Sequence, residues 1–136
     1  DINILATDID SEALRKAKEG RYSEKSLEKL PRAYRDKYFY KEGSVYVIKD
    51  EVKKQVEFKK HNLLEDPYPS NCDLIVCRNV LIYFTEEAKA DIYRNFNRAL
   101  RKGGILFVGS TEQIIMSNKY MLHPVKTFFY VKEGEI

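Results

Sequence analysis

An open α/β fold is what this sequence predicts, and three observations carry the prediction. Short apolar, β-branched runs alternate with segments whose apolar residues recur every three to four positions. The opening run, Ile2 to Thr7, passes straight into capping chemistry and a helix, which is the start of a βαβ unit. A second run, Leu74 to Cys77, ends in a cluster of hydrogen-bonding side chains, Arg78, Asn79 and Tyr83. Ligands of open α/β sheets sit outside the carboxyl ends of the strands, so polar groups gathered there read as a binding or catalytic edge.

After the first strand, Asp8-Ile9-Asp10-Ser11 supplies a turn, and either Asp10 or Ser11 can accept a hydrogen bond from the first free amides of a helix. Ala13, Leu14 and Ala17 share one face of that helix, and Gly20 stands where a helix end takes a left-handed residue. From Ser23 to Lys37 the chain is charged, with Leu27, Leu30 and Tyr34 three to four apart, and Pro31 fits the first turn of a short second helix. Tyr38-Phe39-Tyr40, the turn Lys41 to Ser44, and Val45 to Ile48 predict a hairpin. Val52 to Phe58 adds a third strand or leads into one. The expected organisation is one domain over 1–136 with a small antiparallel β-subdomain inserted at about 38–58.

Val56 to Leu63 reads as a further strand, and Pro67 and Pro69 punctuate the loop after it. Beyond the strand at Leu74 a helix is predicted from Thr85 to Arg101. Thr85 caps it, Glu86 and Glu87 complement its dipole, and Ala88, Ile92, Phe96 and Leu100 form its buried stripe. Gly103-Gly104 is read as the break, Ile105 to Val108 as another strand, and Tyr120 to Lys132 as a closing hairpin around His123-Pro124.

The net charge of +3 is spread over mixed Lys, Arg, Asp and Glu without a basic, aromatic-interleaved stripe, so neither nucleic acid nor an anionic membrane is indicated as partner. Cys72 and Cys77 lie on one strand, where five residues span about 16 Å, beyond disulfide reach. They read as two reduced thiols of a cytoplasmic protein. His61 and His123 are far apart, so no metal site is expected. No apolar run approaches the length that crosses a bilayer, and no signal-peptide pattern opens the chain. The abrupt start on a core strand is read as a piece of a longer protein.

Three places are candidates for chemistry. Asp8, at a strand end before a helix, either caps that helix or binds a ribose, and Asp10 and Ser11 can cap without it. Asn62 and Leu63 end another strand: an amide and an apolar side chain suit an adenine edge and face, and a turn Asn before core leucines is the plainer explanation. Arg78, Asn79 and Tyr83 form the third, or else cap a strand and begin a loop. No Ser-His-Asp, Cys-His or paired-carboxylate arrangement accompanies them, and Cys77 has no His nearby to act as its base. No glycine-rich phosphate loop occurs.

In this order the pieces resemble the chemotaxis receptor methyltransferases, the CheR-type enzymes that methylate receptor glutamates. The matching residues are Ala6-Thr-Asp-Ile-Asp10, Gly20-Arg-Tyr22, Asn62-Leu-Leu64, Asp73 to Phe84, Leu100 to Gly109, and Ser110-Thr-Glu112. The resemblance implies a Rossmann-like class I methyltransferase sheet that is incomplete, its first strand, first helix and glycine-containing loop missing together with an amino-terminal helical domain. It implies S-adenosylmethionine as cofactor, with S-adenosylhomocysteine as product. Asp8 then binds the ribose hydroxyls, Asn62 and Leu63 the adenine, and Arg78 and Asn79 the cofactor at the adjoining strand end. Tyr83 stands near the transferable methyl group, so Tyr83 and Arg78 are the expected catalytic residues.

The implied activity is protein-glutamate O-methylation on the cytoplasmic domain of methyl-accepting chemoreceptors, with the fragment itself inactive. A non-catalytic binding or signalling module with the same fold, and a methyltransferase for RNA, are the competing readings. Family members that dock a receptor's carboxyl-terminal pentapeptide carry a longer loop in the inserted patch. Here the short turn after Phe39 predicts no such tether. The missing strand is expected between those of Ile4 and Ile75, leaving both with unpaired edges.

Overall fold

In the computed structural model, which describes residues 1–109 and 112–136, the chain divides into two units, Asp1–Asn62 and Leu63–Ile136. The architecture is mixed α/β with parallel and antiparallel sheets, as the alternation of apolar runs predicts.

In the first unit, β1 (Ile4–Asp8) pairs in parallel with β5 (Val56–Lys60), and their registers bring Asp8 opposite Lys60. Between them lies α1 (Ser11–Glu19). Asp10 is its cap, accepting the Glu12 amide at 2.9 Å, and Gly20 ends it at φ 64°. That glycine also lies hard against Ile48, so a side chain there would be both strained and blocked.

A second, antiparallel sheet fills the same unit. It consists of β2 (Arg21–Ser23), β4 (Val45–Ile48) and β3 (Phe39–Glu42) in that spatial order. The expected hairpin is present, with Gly43 at φ 63° in a two-residue turn. The third strand is different from the expected one. Residues 21–23 supply it, whereas Asp50–Lys53 form a helical turn, α3, and Val56 onward belongs to the parallel pair. The inserted patch therefore occupies 21–48 rather than 38–58, with the short helix α2 (Arg32–Tyr38) inside it, entered through Pro31.

The second unit is a four-stranded sheet in the order β6 (Cys72–Val76), β7 (Leu100–Phe107), β9 (Phe129–Lys132), β8 (Leu122–Lys126). Only β6 and β7 are parallel. Helix α4 (Glu86–Ala99) makes the crossover between them, capped by Thr85, whose hydroxyl accepts the Ala88 amide at 3.1 Å. Ile92 and Phe96 of the expected stripe are buried with Leu100, Leu106, Val108 and Leu122 in one cluster. Burying several such side chains, each worth about 1.5–3 kcal/mol, is what holds this unit together.

Two expectations change here. The helix ends at Ala99, because Leu100 is already extended, and Gly103-Gly104 lie inside β7 at an irregularity in its pairing with β6. A methyl on Gly104 would sit 2.9 Å from the carbonyl oxygens of both Arg101 and Cys72, so the close approach of two backbones, not helix breaking, requires glycine there. The closing hairpin exists, but Pro124 lies within β8 and Phe128, at φ 69°, makes the turn. Strands β1 and β6 are each the outer strand of their sheet and are not paired with one another. Among the described residues no helix is long and apolar enough to cross a membrane.

Candidate cofactor site

The first unit brings two of the candidates to one edge. Asp8 closes β1 and is exposed; its carbonyl accepts the His61 amide at 3.0 Å, which carries the parallel pairing one residue beyond β5 and leaves Asn62 at the same carboxyl edge. The Asp8 side chain does not cap α1. Its Oδ1 accepts the Asp10 amide at 2.9 Å, while Asp10 caps the helix. This division of labour tightens the turn, orients the carboxylate and leaves Oδ2 able to accept from a vicinal hydroxyl. Asn62 is half-buried and held in place by protein contacts.

The second unit carries the rest. Leu63 is partly buried against the core cluster, and its carbonyl accepts the Tyr68 hydroxyl at 2.8 Å. Arg78 and Asn79 follow β6 directly and both are exposed. Asn79 adopts φ 60°, a left-handed conformation that Asn tolerates better than most residues, so the exit from the strand has its own reason to be Asn. Next comes a tight helical turn, Leu81–Tyr83, pinned by Leu81, which is 1% exposed. Phe84 adds a partly buried contact with the core. Between these two anchors Tyr83 projects outward, 82% exposed. A buried residue before it, a partly buried one after it and a bare ring between them suit a side chain meant to touch something outside the fold.

Cys77 is not a nucleophile. It is buried in the core cluster, and burial together with the nearby Glu112 carboxylate pushes its pKa up to about 11, so the thiol stays protonated at neutral pH. Cys72 and Cys77 are both free thiols. The apolar hollow of about 520 Å³ between α2 and the antiparallel sheet, lined by residues such as Leu27, Leu30, Tyr34 and Ile48, lies away from the candidates within its own unit.

Sequence reasoning missed two features of the second unit. Glu112 is 8% exposed and lies 3.6 Å from Lys89 Nζ on α4, which makes it a buried carboxylate with one cationic neighbour. Gly109, just beyond β7, holds φ 89°, and a methyl on it would lie 3.0 Å from Arg78 Cγ and 3.1 Å from Nε. Both residues were visible in the sequence, but nothing local tied Gly109 to Arg78 or showed that Glu112 is buried. Ser110 and Thr111, part of the family match, lie outside the described residues.

The donor set can be tested against the cofactor that the resemblance implies. In the first unit an oriented carboxylate and an amide suit ribose hydroxyls and an adenine edge, and in the second a guanidinium suits the carboxylate of an amino-acid tail. Nothing in the set requires a phosphate.

Comparison with known proteins agrees. The profile of the family described as "CheR methyltransferase, SAM binding domain" matches residues 1–130. A chemotaxis protein methyltransferase of Listeria innocua is 44% identical over 130 residues, covering 96% of this chain and 50% of that protein. Its counterpart in Listeria monocytogenes is 43% identical over the same length and with the same coverage. That of Borreliella burgdorferi is 39% identical over 116 residues, covering 83% of this chain and 41% of the relative. The chain thus spans about half the length of the curated relatives it matches.

Proposed function

The chain belongs to the CheR methyltransferase family of S-adenosylmethionine-binding domains, and from that premise we propose that it carries part of the active site of a protein-glutamate O-methyltransferase acting on bacterial chemoreceptors. The observation that supports this reading best is the β6 exit, where Arg78 and Asn79 lead into an anchored turn that presents Tyr83.

Bound S-adenosylmethionine supplies an electrophilic methyl carbon on a sulfonium. A glutamate side chain, with a pKa of about 4.3, is already a carboxylate at neutral pH. One of its oxygens would accept the methyl group that the cofactor supplies, leaving a neutral ester and a neutral thioether. The negative and positive charges cancel and no proton moves, so no general base is needed. What remains for the protein is alignment and exclusion of water. In this proposal Asp8 Oδ2 accepts from the ribose, Asn62 and Leu63 meet the adenine, Arg78 and Asn79 hold the cofactor at the β6 end, and Tyr83 aligns the incoming carboxylate. The relatives are about twice as long as this chain, so we assign turnover to the full-length polypeptide in the cytoplasm.

The deciding experiment incubates the full-length polypeptide with a chemoreceptor cytoplasmic fragment and methyl-labelled cofactor. Base-labile label on glutamate supports the proposal. Cofactor binding without transfer selects a signalling module, and label on RNA overturns the substrate. Asp8→Ala is expected to weaken cofactor binding by about 1–3 kcal/mol, the cost of leaving polar partners unmatched. Unchanged affinity by calorimetry would count against the ribose role.

We further propose that the receptor is met without a carboxyl-terminal pentapeptide tether. The turn between β3 and β4 is only Gly43-Ser44, too short to add backbone around an extra strand. Titration with such a peptide should show no binding; micromolar affinity would refute this.

A further inference from the structure

We propose that Gly109 is a positioning residue for Arg78, its missing side chain forming the seat that aims the guanidinium. This rests on the reading of Arg78 as a cofactor-holding residue and extends it to a residue that touches no ligand.

The geometry starts from the pairing of β6 and β7. Val76 lies opposite Phe107, and the Cys77 amide donates to the Phe107 carbonyl at 2.9 Å, so the two strands remain in step up to their carboxyl ends. Arg78 and Gly109 are the next residues out. Val108 fixes the second of them from the other side, donating to the Phe128 carbonyl at 3.1 Å. Both backbones are therefore held before either side chain is considered.

A methyl on Gly109 would lie 3.0 Å from Arg78 Cγ, 3.1 Å from Nε and 3.4 Å from Cβ. Three atoms of the arginine stem, from Cβ to Nε, thus lie across the position just beyond β7 where the chain offers no side chain. Contacts this close involve the root and middle of the side chain, not its mobile tip, so a methyl there displaces the stem by a few tenths of an ångström at its base and re-aims the guanidinium at its end. An exposed arginine otherwise samples many rotamers and loses that freedom when fixed. A seat that holds the stem removes part of that loss before the ligand arrives, which is preorganisation.

Gly109 also holds φ 89°, so a substitution there carries backbone strain whatever happens to Arg78. Strand β7 contains a control. Gly103 has φ 83°, and its nearest neighbour is Arg101, not Arg78. Gly103→Ala therefore imposes comparable strain without touching the seat.

The test is a double-mutant cycle on the full-length polypeptide, reading the dissociation constant of S-adenosylhomocysteine. Gly109→Ala is expected to weaken binding by about tenfold or more, since a misplaced group of this kind costs up to roughly a hundredfold. In an Arg78→Ala background the same change should have no further effect, and Gly103→Ala should leave affinity intact. Equal losses from Gly103→Ala and Gly109→Ala, or additive losses from Gly109→Ala and Arg78→Ala, would overturn the proposal. If Arg78→Ala alone leaves binding unchanged, the cofactor reading of Arg78 fails instead, a separate outcome. Should Gly109→Ala not fold, Nε–Hε relaxation of Arg78 in the ligand-free wild type decides. An ordered Nε on the ps–ns timescale supports the seat, and motion as free as that of other exposed arginines defeats it.

Discussion

Replacing Arg78 by Ala in the full-length polypeptide should lower kcat/KM for methyl transfer by about 10- to 150-fold, with most of the loss in cofactor affinity. The magnitude follows from the chemistry of the group. A hydrogen bond to a charged partner contributes about 1.5–3 kcal/mol, and each 1.4 kcal/mol is about tenfold. Arg78 is exposed beyond the end of β6 with the glycine beneath its stem, and among the described residues it makes no ion pair. Removal therefore leaves no buried partner behind, and the unfolding midpoint should move little. Arg78→Lys keeps the charge but loses the planar fork, so it should recover only part of the affinity. A variant that binds cofactor normally but turns over slowly would move Arg78 from cofactor holding to alignment of the glutamate. One normal in both would remove it from the site.

Why Arg78 could be found from sequence, and Gly109 could not, is a matter of range. The cap at Asp10, the stop at Gly20 and the cap at Thr85 are decided by residues within one helical turn, and each is where local chemistry puts it. Arg78, Asn79 and Tyr83 are marked by a strand ending in polar groups, which is also local. The third strand of the antiparallel patch is different. Arg21–Ser23 is three residues long, exposed throughout, and pairs with Val45–Val47 more than twenty positions later, so it carries no alternation to detect. Gly103 and Gly104 looked like a helix break because the sequence does not reveal that Cys72 passes so close. The seat under Arg78 depends likewise on which strand lies next to β6. Lateral neighbours, not local propensity, are what the reading lacked.

The largest effect on stability is expected at Asn97. This residue of α4 is fully buried, and its Nδ2 donates to the Tyr120 carbonyl at 2.8 Å and the Gly134 carbonyl at 3.0 Å. It ties the helix to the segment before β8 and to the segment after β9. Its Oδ1 has no hydrogen-bond partner among the described residues. Asn97→Asp keeps the shape and exchanges a two-proton donor for an acceptor facing two carbonyl oxygens. Both hydrogen bonds are lost and a charge is buried without a partner, which costs about 3–5 kcal/mol at neutral pH. Burial raises the folded-state pKa of the introduced carboxyl above its unfolded value of about 3.9. The folded variant then binds the proton more tightly than the unfolded one, so its stability falls as pH rises from about 4 to the folded pKa and is flat above it. At acid pH the neutral carboxyl can donate once and the deficit should shrink. Unfolding of wild type, Asn97→Asp and Asn97→Ala, measured at pH 4.5 and 7.5, checks both parts. Asn97→Ala should lose about 1–3 kcal/mol at either pH. If Asn97→Asp is no worse than Asn97→Ala at pH 7.5, or shows the same deficit at both pH values, the two carbonyls are not what Asn97 holds.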